Sequence, residues 1–175
     1  QVLLRFLDPE LQRVTGSPWR ECSIPLHTLA ESPIDAKRVI IVENKINLLT
    51  LPAMSEAIAM GGLGNAIVDL TYVPWLADRV LWYWGDLDVE GFEILSRLRI
   101  RFPQTRSFLM DATSVNRWKD SLAVPRSMRQ PSVPPLLTEE ETTAFNLCAA
   151  GNLRIEQERI PQAAVIEAIL TAGFV

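Results

Sequence analysis

The 175-residue chain is poor in several residues on which common chemistries depend. Its one histidine, His27, argues against Ser-His-Asp hydrolysis and leaves no histidine cluster for zinc. The two cysteines, Cys22 and Cys148, form no C-x-x-C, so two buried thiols in a reducing cytosol are expected, not a disulfide framework or zinc site. No apolar run approaches ~18 residues and no secretory leader pattern opens the chain, so no membrane span is expected and the location expected is cytoplasmic. The glycines of Gly61-Gly62-Leu63-Gly64 lack the G-x-x-x-x-G-K-S/T frame, and read as a tight strand-to-helix turn rather than a nucleotide loop. Internal repeats and low-complexity tracts are missing. Charge of one sign is not in large excess: 17 Lys and Arg stand against 21 Asp and Glu, a net −4 that does not announce a nucleic-acid binder. What remains, 48% hydrophobic and 22% charged, suffices for the core of one domain with room for a small appendage. The chain starts at Gln1 rather than Met, and a fragment with sequence upstream is expected.

The most informative stretch is Leu81-Trp82-Tyr83-Trp84-Gly85-Asp86-Leu87-Asp88-Val89-Glu90-Gly91-Phe92. Its apolar start suits a strand buried on both faces, and in open α/β sheets chemistry sits past the carboxyl ends of such strands. Asp86 and Asp88 are expected to emerge there into solvent, with Glu90 opening a helix whose N-terminus tolerates negative charge. Like charges about 4 Å apart cost roughly 1 kcal/mol in water and about 4 at an effective dielectric near 20. A divalent cation relieves that repulsion, and hard carboxylate oxygens suit Mg²⁺. A solvated loop with N-terminal helix acids is the plain alternative. Arg38-Val39-Ile40-Ile41-Val42-Glu43-Asn44 is a second buried-strand pattern running into one carboxylate. If the two strands are parallel neighbours, Glu43 shares a sheet edge with Asp86 and Asp88.

Elsewhere, Asp8-Pro9, Gly16-Ser17-Pro18, Ile24-Pro25 and Ser32-Pro33 are turn signals that predict an irregular segment over 1–35. Lys45 to Thr50 predicts a short helix, Glu56 to Met60 a strand, and Asn65 an N-cap. Glu90 to Phe102 predicts a helix with Gly91, Ile94, Leu95, Leu98 and Phe102 on one face. Arg106 to Asp111 reads as a fourth strand ending in an acid that caps the next turn. Pro125 to Pro135, with four prolines and Arg126 and Arg129, predicts an exposed loop. Thr138 to Glu141 is a capping box, and Pro161 suits the start of a last helix. Between Ser96 and Arg129 eight basic residues face only Asp111 and Asp120, which fits either a phosphate-contacting surface or a solvated helix face. Tyr72 and Tyr83 sit in core-like surroundings.

One glutamate after a first strand and an Asp-x-Asp after a later one is the signature of the topoisomerase–primase (Toprim) fold. The segments Phe6-Leu7-Asp8-Pro9, Ile41-Val42-Glu43-Asn44, Tyr83-Trp84-Gly85-Asp86-Leu87-Asp88, Gly91-Phe92, Leu109-Met110-Asp111 and Leu153-Arg154-Ile155-Glu156-Gln157-Glu158-Arg159-Ile160 together resemble the JetD family, Toprim nuclease subunits of Wadjet anti-plasmid defence systems. That family is similar to the A subunit of type IIB topoisomerases. The resemblance implies an α/β fold of Toprim-like (Rossmann-like) type, a mainly parallel sheet of about four strands flanked by helices. It implies an irregular extension over 1–35, a Toprim core over 36–124, and a Pro-rich loop with C-terminal helices packed on the core over 125–175. It implies an Mg²⁺- or Mn²⁺-dependent DNA endonuclease with Glu43, Asp86 and Asp88 as catalytic metal ligands, Glu90 extending the motif. Double-stranded plasmid DNA, an SMC-type (condensin-like) complex and a second copy in a homodimer are the implied partners, and a winged-helix-type region is implied upstream. An isolated domain of this kind can be inactive. Glu156 and Glu158 are marked only by the resemblance. Two other readings stand beside it. A phosphatase or receiver-like domain would also use an acidic Mg²⁺ pocket, although Glu90 breaks the D-x-D-x-T/V pattern of one such class. A non-catalytic interaction module would carry the acids as relics.

Overall fold

The opening residues are not irregular. In the computed structural model, which describes residues 1–125 and 131–173 (Asn65 by its backbone alone), Val2–Phe6 (β1) and Glu21–Ile24 (β2) are antiparallel strands of the central sheet. The turn signals are real but fall between these strands and two short helices, Pro9–Thr15 (α1) and Leu26–Glu31 (α2). Asp8 caps α1 by accepting from the Glu10 and Leu11 amides, and its other oxygen accepts from Glu56 N–H. Arg5 interrupts the apolar pattern of β1, yet it is buried and lies opposite Glu21 of β2, 3.5 Å away.

Three uninterrupted apolar runs then make the centre: Arg38–Val42 (β3), Ala57–Gly61 (β4) and Val80–Trp84 (β5). All of β4 and the last four residues of β3 and of β5 are buried, as a strand covered on both faces requires. A two-residue β6 (Arg106–Ser107) completes a six-stranded sheet of order β2-β1-β4-β3-β5-β6, not the four strands expected. The β4-β3-β5-β6 part is parallel, and the two additional strands are the antiparallel ones. From β3 the chain goes to β4 on one side and then returns to lay β5 on the other. The carboxyl ends of β3 and β5 thus flank the point where strand order reverses, the crevice where open α/β sheets bind ligands.

Helices cover the sheet, and most are capped as their sequences predict. Lys45–Thr50 (α3) is capped by Asn44, and Val89–Arg101 (α4) by Asp88. Ala112–Trp118 (α5) is capped by Asp111, and Glu139–Gly151 (α6) carries the Thr138/Glu141 capping box. Gln162–Thr171 (α7) follows Pro161. Val124–Pro125 (β7) and Leu153–Arg154 (β8) form a small separate ribbon, after which Ile155 exchanges two backbone hydrogen bonds with Leu87. The C-terminal segment is thereby tied across the carboxyl end of β5. No described helix is long and apolar enough to cross a membrane.

Several expectations are corrected. The segment expected to start at Asn65 is a 3-10 helix, Gly64–Tyr72, with Leu63 at the capping position. Tyr72 is 73% exposed rather than core, whereas Tyr83 is fully buried. Cys148 is buried but Cys22 only half so, and both are free thiols. In the basic stretch Arg99 is buried against Glu141, so it is not a phosphate-facing residue. Arg126 and Arg129 lie outside the described residues.

Candidate functional site

Parallel pairing of β3 with β5 fixes the neighbourhood of the acids. Val42 sits opposite Trp84, and Glu43 N–H donates to the Trp84 carbonyl at 3.3 Å. The next residue of each strand leaves the sheet at the same edge, and Glu43 meets Asp86 there. Glu43 Oε2 accepts from the Asp86 amide at 3.4 Å and from the Tyr83 hydroxyl at 3.3 Å. Glycine at 85 makes this turn possible: a Cβ there would stand 2.2 Å from the Tyr83 hydroxyl oxygen. Glycine at 91 does the same for the helix, since a Cβ would stand 2.1 Å from the Asp86 carbonyl oxygen.

Asp86 and Asp88 do not emerge into solvent as expected; both are buried. Their side chains are taken up by the surrounding chain. Asp86 Oδ1 accepts from the Gln157 amide at 2.9 Å, and its Oδ2 accepts from Arg154 Nε and Nη2 at 3.1 and 2.8 Å. Asp88 Oδ1 caps α4 through the Gly91 amide at 2.8 Å, while its Oδ2 lies 3.9 Å from Arg154 Nε. Glu90 follows in the first turn of α4, half-buried, where the helix N-terminus favours negative charge.

The electrostatics follow from this crowding. Burial, and then the Asp86 charge, push the Glu43 carboxyl up from its ordinary value to about 7, with Asp88 adding to the effect. The hydrogen bonds from Asp86 N–H and Tyr83 hold it back only in part. Asp86 is also raised, by burial, against the lowering effect of the Gln157 amide and Arg154. Arg154 is raised: burial works against its charge, but Asp86, Asp88 and Glu156 outweigh that.

Two residues that matter here were not singled out in the sequence. Gln157 is fully buried, and its side chain accepts from Asn44 N–H at 2.9 Å and donates to the Trp84 carbonyl at 2.7 Å. It therefore pins the ends of β3 and β5 to each other. Arg154 brings a cation onto Asp86 and to within 3.9 Å of Asp88. Both lie in the Leu153–Ile160 segment, where the glutamates drew notice. Glu158 accepts from Asn44 Nδ2 at 2.9 Å, and Glu156 pairs with Arg159 at 3.0 Å. The available signal was an uncharged amide framed by Ile155 and Ile160, both buried, which is the pattern of an inward-facing residue.

Hard oxygens in excess of nearby positive charge are the donor chemistry that Mg²⁺ or Mn²⁺ takes. The excess is visible in the raised Glu43. Yet no group of three or more His, Cys, Asp or Glu among the described residues is gathered to hold a metal ion. The donor types fit such an ion; in this conformation the Arg154 guanidinium takes up Asp86 Oδ2.

A mainly parallel sheet with its acids at the switch point defines an α/β domain of the doubly wound kind. The chain belongs to the family described as Wadjet protein JetD, C-terminal, whose model matches residues 1–169. Membership places it in a multi-subunit defence system. No curated protein matches the chain.

Proposed function

We propose that the chain is the metal-dependent DNA-cleaving (Toprim) domain of a Wadjet defence system, acting on double-stranded plasmid DNA with an SMC-type complex. The observation that carries this reading is the meeting of Glu43 and Asp86 at the switch point, close enough for the Asp86 charge to push the Glu43 carboxyl up. Glu43, Asp86 and Asp88 would hold Mg²⁺ or Mn²⁺, with Glu90 close by in the sequence. Such an ion supplies charge stabilisation at a phosphate and lowers the pKa of water. The chain's own residues set the stage for it. Gln157 holds the two strand ends in register, and Tyr83 orients the Glu43 carboxylate from beneath. Without an ion, burial and the Asp86 charge raise the Glu43 carboxyl to about 7, so a cation that holds its charged form would be taken up with loss of a proton. Tyr83 is fully buried, which disfavours it as a strand-attacking nucleophile and supports hydrolysis. A homodimer and an upstream DNA-gripping region belong to the same proposal.

Glu43 at the edge beside Asp86 favours this reading over a phosphatase or receiver-like domain. The Arg154 clamp on Asp86 favours a second reading, a non-catalytic interaction module in which acids and arginine form a structural lock. Plasmid nicking by the assembled complex decides between them. Cleavage is expected with Mg²⁺ or Mn²⁺, to vanish with chelator, and to fall at least about 100-fold in Asp86→Ala and Glu43→Ala. Cleavage unchanged in both variants would refute the nuclease assignment.

A further inference from the structure

Arg154 makes two hydrogen bonds to one oxygen of Asp86 and lies 3.9 Å from both Asp88 Oδ2 and Glu156 Oε1. Its guanidinium is therefore centred among three carboxylates, two of them at the proposed metal edge. The partners differ in freedom. The Asp86 and Asp88 side chains are 9% and 3% exposed, whereas that of Arg154 is 42% exposed. Asp86 is fixed further by the Gln157 amide, and Asp88 by its role as the cap of α4. The acids are the enclosed half of the pair and the arginine the solvent-facing half. Arg154 can leave by rotating a solvent-facing side chain, while its backbone stays paired in β8 with Val124.

We infer that Arg154 is a resting counter-ion of this edge, which a divalent cation must displace from Asp86 in order to bind. The inference rests on the metal-dependent reading given above. Both cations seek the same oxygen. A divalent ion held by these acids would repel an undisturbed guanidinium at the same carboxylates, and more strongly where solvent is excluded. An occupied edge and a bound Arg154 are therefore alternatives. With Arg154 seated, the excess charge on Asp86 is balanced without metal, so the chain folds with a complete edge and does not depend on the ion. With the ion seated, the guanidinium is released into solvent beside the crevice. Arg154 is thus a positioning residue for the acids in one state and a competitor for their ligand in the other.

Metal binding, rather than cleavage, tests this. Calorimetric titration of the chain with Mn²⁺ is expected to give affinity about ten-fold or more tighter for Arg154→Gln than for the unaltered chain. Arg154→Lys, which retains a competing cation, is expected to fall between them. A second measurement needs no variant. Modification of Arg154 by phenylglyoxal, followed by peptide mass spectrometry, is expected to accelerate several-fold on addition of Mn²⁺. Arg13, which pairs with Glu10 on exposed α1, serves as the internal control and should not change. Equal or weaker Mn²⁺ binding by Arg154→Gln, together with an unchanged Arg154 modification rate, overturns the inference and leaves the metal site standing. No Mn²⁺ binding by either protein overturns both the inference and the metal-dependent reading beneath it.

Discussion

Glu43 carries a carboxyl displaced from the acid range to near neutrality. Its carboxyl titrates near 7 in the folded chain because burial and Asp86 oppose its charge, against an ordinary 4.5 when unfolded. Below about 4.5 both states are protonated and the residue costs nothing. As pH rises from there the unfolded chain ionises first, so stability is lost up to about pH 7 and remains lower above it. Glu43→Gln keeps an oxygen for the Tyr83 and Asp86 donors but removes the charge. Chemical denaturation at pH 8 should find the variant more stable by up to about 3 kcal/mol, with little difference at pH 4. The same offset at both pH values would mean that packing rather than charge sets the effect. The sequence placed this residue correctly because an apolar run ending in a carboxylate marks a strand end. The same reading sent Asp86 and Asp88 into solvent, and it missed their burial because Arg154 and Gln157, which take up Asp86, stand 68 and 71 positions further along the chain.

Elements are joined by a second charged pair, remote in sequence from the acids. Arg99 on α4 and Glu141 on α6 form a buried bidentate ion pair at 2.5 and 2.8 Å, and Glu141 also accepts from Ser107 of β6. The pair therefore links a helix that starts at the candidate site to the edge of the sheet. Burial resists the Glu141 charge, but Arg99, Ser107 and the Thr138 amide prevail and hold its carboxyl below the ordinary range. A lowered carboxyl stabilises the fold above its unfolded pKa and loses that contribution as pH falls through the folded one. Glu141→Gln should cost about 3–5 kcal/mol at neutral pH, because Arg99 is left charged in a buried place. Urea melts should show that gap narrowing under acid, where the parent glutamate is protonated too. A cost below about 1 kcal/mol at pH 7 would place the pair with weak surface bridges instead. The capping box at Thr138 announced α6 in the sequence, but nothing local announced that its Glu141 serves Arg99 as well. β1 escaped notice for a related reason, since Arg5 breaks its apolar run and its buried charge is met by Glu21 of the antiparallel β2 and by the Leu48 carbonyl, both distant in sequence.

For the molecule as a whole, legibility followed the range of the interactions involved. The buried parallel strands β3, β4 and β5, Glu43 at the end of the first, and the caps at Asp111 and Thr138 are written in runs of a few residues and stand where those residues indicate, whereas the cap expected at Asn65 and the solvent exposure expected of Asp86 and Asp88 do not. The two antiparallel strands, the reach of the C-terminal segment across the β5 end, and the arginine among the acids are set by contacts between distant parts of the chain. On the proposed metal-dependent reading, that last group sets how strongly the domain responds to a cation. A ligand that binds the folded chain alone stabilises it by about 2.7 kcal/mol at 100 times its Kd. For a chain of this size each kcal/mol moves Tm by about 2–4 °C, so saturating Mn²⁺ should raise Tm by about 5–10 °C over chelated protein. The rise should shrink by the free energy needed to move Arg154, and should therefore be larger in Arg154→Gln. In Asp86→Asn it should disappear, because the neutral amide is a poor ligand for a hard cation. Scanning fluorimetry with chelator and with added Mn²⁺ measures all three. A rise of equal size in Asp86→Asn would locate the ion elsewhere and break the link between this edge and the metal.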